Sequence, residues 1–130
     1  MILNRAWIGW MEIPDMDNAI EEKSFQFSVR NVRLYRHLSD TKREYVLARQ
    51  LLRAGTSIGA NVAEAQQAQS RADFISKISI ALKEAAESKY WLRLLFATDY
   101  LTQPEFDSIF SDCIELEKIL TSIIKTSKSD

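Results

Sequence analysis

Two glycines set within a run that otherwise has the spacing of a buried helix face constrain this chain more than any other feature. Through the segment Thr56–Ala65 and the turn before it, Leu51, Gly55, Ile58, Val62 and Ala65 recur at steps of four and three, one face of a helix. After a few residues Phe74, Ile78, Ala81, Ala85, Ser88 and Leu92 repeat the pattern. With a turn at Gln69 and Ser70 the two helices run antiparallel, and positions whose numbers sum to about 140 face each other. Gly55 is then expected opposite Ala85, and Ile58 opposite Ala81. A glycine inside a helix costs roughly 1 kcal/mol relative to alanine, so Gly55 and Gly59 imply a close backbone approach that a Cβ would obstruct. The seam of Gly55, Ile58, Gly59, Ala81 and Ala85 is read as architecture rather than chemistry. The same register puts Glu87 near Arg53 and Lys77 near Glu64.

Punctuation predicts two more helices. The first is expected over about Asn18 to Leu38 with Phe25, Val29, Val32 and Tyr35 or Arg36 on its face, and the second over about Thr41 to Ala68, capped by Asp40 and Thr41. Ser70, answered three residues on by Asp73, opens the third, which continues to about Tyr100. Thr102 with Glu105 repeats the arrangement, and Pro104 is tolerated in a first turn because its missing N–H has no partner there. Phe106, Ile109, Phe110, Cys113, Glu117, Leu120 and Ile124 then trace the fourth helix to a polar tail, residues 127–130. With only three glycines and two prolines in 130 residues, the chain has little material for the turns of a sheet. The expected fold is an all-α, up-and-down antiparallel four-helix bundle over residues 16–126.

The runs SIGANVAEA, DFISKISIAL and KEAAESKYWLRLL resemble the small four-helix-bundle family of 23S rRNA intervening-sequence proteins. The resemblance covers roughly Lys23 to Ile124. It implies an up-and-down bundle assembled into a ring, a homopentamer in the first place, and it brings no catalytic residues. A related group, the accessory proteins of diversity-generating retroelements, implies nucleic-acid binding.

Apolar surface in excess of one bundle stripe points the same way. Around Trp91, Leu95 and Phe96 the apolar residues run nearly all the way round the third helix, and the first helix is apolar on two sides, Phe25, Val29 and Val32 against Phe27, Leu34 and Leu38. An exposed aromatic is an association hazard, so Trp91, Leu95 and Phe96 are candidates for a subunit interface. Residues 1–15, with Trp7, Ile8, Trp10 and Met11, fall outside the resemblance, and Pro14 interrupts a helix entering from them. They read as a disordered segment, as an arm docked on a neighbouring subunit, or as a stretch ahead of a start at Met16. No run of about 18 apolar residues exists and the first residues lack the basic start of a signal peptide, so no membrane partner and a cytoplasmic location are expected.

Chemistry-bearing constellations are sparse. His37 is the sole histidine and Cys113 the sole cysteine, which removes multi-histidine and cysteine metal clusters and any internal disulfide. His37 is expected at a helix C-terminus or in solvent, Cys113 as a small buried hydrophobe. Glu84 and Glu87 read as ion-pair partners. Ser57 and Asn61 are expected to hydrogen-bond across the small-residue seam. No cofactor, small-molecule substrate or enzymatic activity is expected. One ligand signal remains. The net charge is −1, but Ser24 to Arg53 holds seven basic residues against two acids, a net of +5, and Pro104 to Asp130 holds three lysines against six acids, a net of −3. Arg30, Arg33, Arg36, Arg49 and Arg53 recur at helical steps and can meet successive phosphates, especially if repeated around a ring. The expected function is therefore backbone-directed binding of RNA or DNA by a homo-oligomer. The alternative is a scaffold whose ring presents a surface to a partner protein, with the basic stripe a solvated face paired with the acidic fourth helix.

Overall fold

The computed structural model describes the backbone of residues 14–129 and the side chains of residues 19–129. Four helices follow one another, α1 (Pro14–Asp40), α2 (Val46–Ala65), α3 (Arg71–Ala97) and α4 (Gln103–Lys128), and the described residues contain no strand. Consecutive helices pack side by side and α4 closes against α1, the least extensive of the four seams. Between α2 and α3 the ion pairs Arg53–Glu87 and Lys77–Glu64 hold the antiparallel register read from the sequence. Apart from Pro14 and Asp15, which open α1, the N-terminal segment lies outside the described residues. The polar tail is shorter than expected, because α4 continues through Lys128 and buries Ser127.

Three of the helices begin on a side chain that accepts their free amides. Ser70 Oγ accepts from Asp73 N–H at 3.0 Å, and Thr102 and Glu105 form a full capping box, Glu105 Oε1 accepting from Thr102 N–H at 2.8 Å. The start of α2 departs from expectation. Asp40 and Thr41 do not cap it; the Glu44 carboxylate accepts the amides of Val46, Leu47 and Ala48 at 3.2, 3.1 and 2.7 Å, so the helix begins at Val46. One carboxylate thus serves three amide donors at the positive end of the helix dipole. The two turns at this end of the bundle close through left-handed residues, Arg43 at φ 58° and Asp99 at φ 71°.

The faces of α2 and α3 match their periodicity: Leu51, Gly55, Ile58, Val62 and Ala65 are buried, as are Phe74, Ile78, Ala81, Ala85, Ser88, Leu92 and Leu95. The α1 face does not match. Phe25 stands 62% exposed and Val32 is exposed, while Ile20, Phe27 and Leu38 enter the core with Leu34 packed beside them. The true stripe steps through positions 20, 24, 27, 31, 34 and 38, but Ser24 and Asn31 occupy two of them and interrupt its apolar signature. On α4 the buried set is Ile109, Cys113, Leu116, Leu120, Ile123 and Ser127. Phe106, Phe110 and Ile124 only flank it, and Glu117, half-buried, pairs with Lys89 at 2.9 Å.

The glycines do enforce a close approach, but to a different helix. A Cβ on Gly55 would lie 2.5 Å from Asn31 Cγ of α1, and one on Gly59 would lie 3.1 Å from Ser28 Oγ and 3.2 Å from the Ser24 carbonyl oxygen, also of α1. Gly55 therefore admits Asn31, which is buried and donates to the Phe27 carbonyl at 2.7 Å. Ile58, Ala81 and Ala85 remain in the core beside α3. Ser57 and Asn61 do not bridge the seam either: Asn61 donates to the Ser57 carbonyl at 2.8 Å within α2.

Candidate nucleic-acid interface

The five arginines that the sequence places on one basic stripe divide in the fold. Arg30 reaches across to α4, where its guanidinium donates to Asp112 at 2.6 Å and to Ser108 Oγ at 3.0 Å. Arg53 sits between Glu84, at 3.3 Å, and Glu87 on α3. The Arg53 hydrogen bond, followed by one from the Trp91 indole N–H at 3.0 Å, holds the Glu87 carboxyl below the usual carboxylate range. These two guanidiniums are engaged inside the subunit, and the acidic fourth helix takes one of them.

Arg33, Arg36 and Arg49 are exposed and join no ion pair with a described residue. Lys42 and Arg43, in the turn between α1 and α2, are likewise outside every ion pair among the described residues. All five lie in the last two turns of α1, the turn itself and the start of α2, so five cations without an ion pair cluster at one end of the bundle, while Lys83 on α3 and Lys118, Lys125 and Lys128 toward the far end of α4, likewise outside every ion pair among the described residues, stand apart from them. Of the two acids among them in sequence, Glu44 is occupied with the α2 amides, and Asp40, exposed at the end of α1, joins no ion pair with a described residue. Lys42 and Arg43 belong to the basic run of the sequence, but helical spacing does not single them out as ligands. Their position in a turn, where no helix face constrains them, was the available signal.

Beside this cationic end a cleft of about 320 Å³ opens between α1 and α4. Arg30, Arg33 and His37 line its α1 side, Glu105 its α4 side, and Leu34, Leu101 and Ile109 its floor. The cleft lies along the seam of α1 and α4, the least extensive of the bundle. The Thr102 backbone N–H, above all, pulls the Glu105 carboxyl below its ordinary range, so this acid stays ionised near neutrality. His37 half-faces the cleft, and its carbonyl accepts the Thr41 amide at 2.9 Å.

The three interface candidates of α3 separate as well. Leu95 is fully buried in the chain's own core and offers no surface to a second subunit. Phe96 stacks on Phe106 at 4.5 Å, and Phe106 on Phe110 at 4.7 Å. Trp91 is half-buried against Tyr90, whose ring stands edge-on at 5.1 Å and is 56% exposed. Exposed apolar residues also stand on α1, where Phe25 borders a groove of about 340 Å³ lined across from it by Gly59, Ala60 and Ala63 of α2.

A model of the 23S rRNA-intervening sequence protein family matches residues 16–122, nearly the whole described bundle. The chain belongs to that family. A crystal structure of a protein of unknown function from the S23 ribosomal protein family of Bacteroides thetaiotaomicron is 55% identical to this member of the intervening-sequence family, covering 85% of this chain and 98% of that one with a TM-score of 0.84. No curated protein matches the chain. Family membership accounts for the bundle, while the division of its arginines follows from the particular acids on α3 and α4. No described helix is long and apolar enough to cross a membrane. Among the described residues no three of His, Cys, Asp and Glu gather closely enough to hold a metal ion.

Proposed function

We propose that this chain is a non-enzymatic homo-oligomer that binds structured RNA or DNA through the phosphate backbone, using the free cations at the end of the bundle where α1 turns into α2. The observation that carries the reading is the set Arg33, Arg36, Lys42, Arg43 and Arg49, exposed, outside every ion pair with a described acid and clustered at one end, with Lys42 alone near enough to an acid, Glu105, for its charge to act on it. Unneutralised cations clustered on one end release counterions when they meet phosphates, which is the main source of sequence-independent affinity. The family's name refers to ribosomal RNA, which makes a structured RNA the first ligand to offer. A ring, with five subunits the arrangement implied by the resemblance, would repeat the cluster and multiply a field that a net charge of −1 conceals. The exposed strip of Phe25 and Val32 supplies apolar surface for subunit contact.

Fluorescence anisotropy with labelled RNA and DNA at about 50 and 200 mM salt tests the reading, because phosphate-driven binding changes most in that range. Replacing Arg33, Arg36 or Arg49 by alanine weakens binding to all sequences alike and flattens the salt slope by roughly 0.9 for each phosphate of duplex DNA that is no longer neutralised. Arg53→Ala, whose guanidinium is already claimed by Glu84 and Glu87, leaves the slope unchanged. Absence of binding at the lower salt, by protein that light scattering finds assembled, overturns nucleic-acid binding. A protein-interaction scaffold then takes its place, with the exposed Tyr45 and Val46 as the surface offered to a partner, and Val46→Asp loses partner binding while the oligomer stays intact.

A further inference from the structure

The cleft between α1 and α4 combines three properties, of which a phosphate-binding surface alone needs only the cation. Its floor is apolar, made by Leu34, Leu101 and Ile109, with the last two almost fully buried. Its rim carries Arg33, one of the free cations, together with His37. Its far wall carries Glu105, whose Oε1 accepts the Thr102 amide and whose carboxylate keeps further acceptor capacity. A volume of about 320 Å³ is at the lower end of the range for small-ligand sites. An all-phosphate ligand would meet the carboxylate unfavourably. A planar, largely apolar group that carries N–H donors on its edge and a phosphate beside it complements all three.

We propose that this cleft receives the base of one unpaired nucleotide, with the adjoining phosphate on Arg33 and donors of the base edge on the Glu105 carboxylate. Guanine suits it best, since its N1–H and N2–H₂ lie side by side and both donate to one carboxylate, whereas uracil offers a single donor flanked by two acceptors. The inference deepens, and rests on, the phosphate-binding reading, adding that the bound nucleic acid has a bulged or single-stranded nucleotide at this end of the bundle. Unpaired bases are the parts of an RNA that side chains can read, because the major groove of a paired RNA helix is too narrow to admit them.

The test compares a fully paired RNA duplex with the same duplex carrying one bulged guanosine or one bulged uridine, by anisotropy at about 50 mM salt with the assembled protein. The bulged guanosine duplex is expected to bind about tenfold more tightly than the paired one, the size of one good base contact, with the bulged uridine between them. Leu34→Phe, which fills the cleft from its half-buried edge, brings the bulged duplex down to the affinity of the paired one. Glu105→Gln keeps a residue type that serves a capping box and removes the preference for guanosine over uridine; it decides the matter even if Leu34→Phe does not fold. Arg36→Ala and Arg49→Ala weaken bulged and paired duplexes equally. Equal binding of bulged and paired duplexes by the unaltered protein overturns the proposal and leaves the phosphate reading standing, whereas no binding of either overturns that reading first. Guanosine monophosphate bound as tightly as the bulged duplex would make a free nucleotide the ligand, and a Leu34→Phe variant changed in oligomeric state but not in affinity would make the cleft a subunit contact; each of these overturns it as well.

Discussion

Helix α2 is held on its two sides by opposite means. Toward α3 it presents Leu51, Ile58 and Val62 to Phe74, Ile78 and the alanines 81 and 85, a seam filled by side chains and framed by Arg53–Glu87 and Lys77–Glu64. Toward α1 it presents Gly55 and Gly59, and the volume they leave is taken by Asn31, Ser24 and Ser28. The first seam is stabilised by the apolar area it removes from water; the second by how closely two backbones can approach. The Asn31 side chain is satisfied on one side only, its amide donating to Phe27 while its Oδ1 has no described partner. One seam is thus damaged by removing atoms, and the other by adding them.

The largest effect expected from this contrast is on the filled side. Ile58→Ala leaves a cavity among residues with no exposure and should cost about 2–5 kcal/mol, read as a lower urea midpoint. On the close side the sign of the volume effect reverses. Gly55→Ala adds one methyl group against a buried, hydrogen-bonded amide and should cost about 1–3 kcal/mol, even though alanine is the better helix former. Asn31→Ala in the same chain should recover much of that cost, giving a coupling of about 0.5–3 kcal/mol in the double-mutant cycle. A higher melting temperature for Gly55→Ala alone breaks the comparison, because it would mean that the glycine faces open space.

Gly59→Ala separates the two glycines more finely. Its Cβ would meet Ser28 Oγ and the Ser24 carbonyl at 3.1 and 3.2 Å, tight but not overlapping, and the helix-forming advantage of about 1 kcal/mol acts against the crowding. Stability should therefore move by less than about 1 kcal/mol, and a loss as large as that of Gly55→Ala would show the seam to be uniformly closed. The frame of ion pairs contributes least. Arg53 is half exposed, so Arg53→Ala should change stability by at most about 1 kcal/mol, and less at high salt. Its acid limb has a definite direction. Glu87 and Glu105 have folded values depressed below the ordinary 4.5, so their contribution is present above that pH and is lost as pH falls through the lowered values. Urea midpoints measured from pH 7 down to about pH 3 should fall less steeply in Glu87→Gln than in the unaltered chain.

What could be read in advance followed the continuity of the pattern. The α3 stripe runs from Phe74 to Leu92 without a charged interruption and opens on a serine cap, and both were legible. The α1 stripe carries Ser24 and Asn31 at core positions, so the more continuous apolar series Phe25, Val29 and Val32, whose two ends are solvent-exposed, outweighs it in the sequence. Periodicity identifies a face but not the neighbour across it: the spacing marks Gly55 as a close approach and points to α3, whereas its Cβ would meet Asn31 of α1, since a residue on a buried face can serve either side. The candidate site was legible to the same degree. Helical steps brought out five arginines, and the α2–α3 register foresaw the tie of Arg53 to Glu87. The tie of Arg30 to Asp112, 82 residues away along the chain, depends on where α4 comes to lie against α1.

Cys113 sits on the inner face of α4 with its thiol on the Ala85 carbonyl at 3.3 Å, and burial pushes its pKa up to about 12. Thiol reagents attack the thiolate, so this group is inert for as long as α3 and α4 stay together. It is the only cysteine in the chain, and any modification must therefore follow the parting of those two helices. The rate of labelling is then a clock for that event, read against the loss of amide protection elsewhere, and it can tell whether the seam of α3 and α4 opens alone or only with the whole bundle.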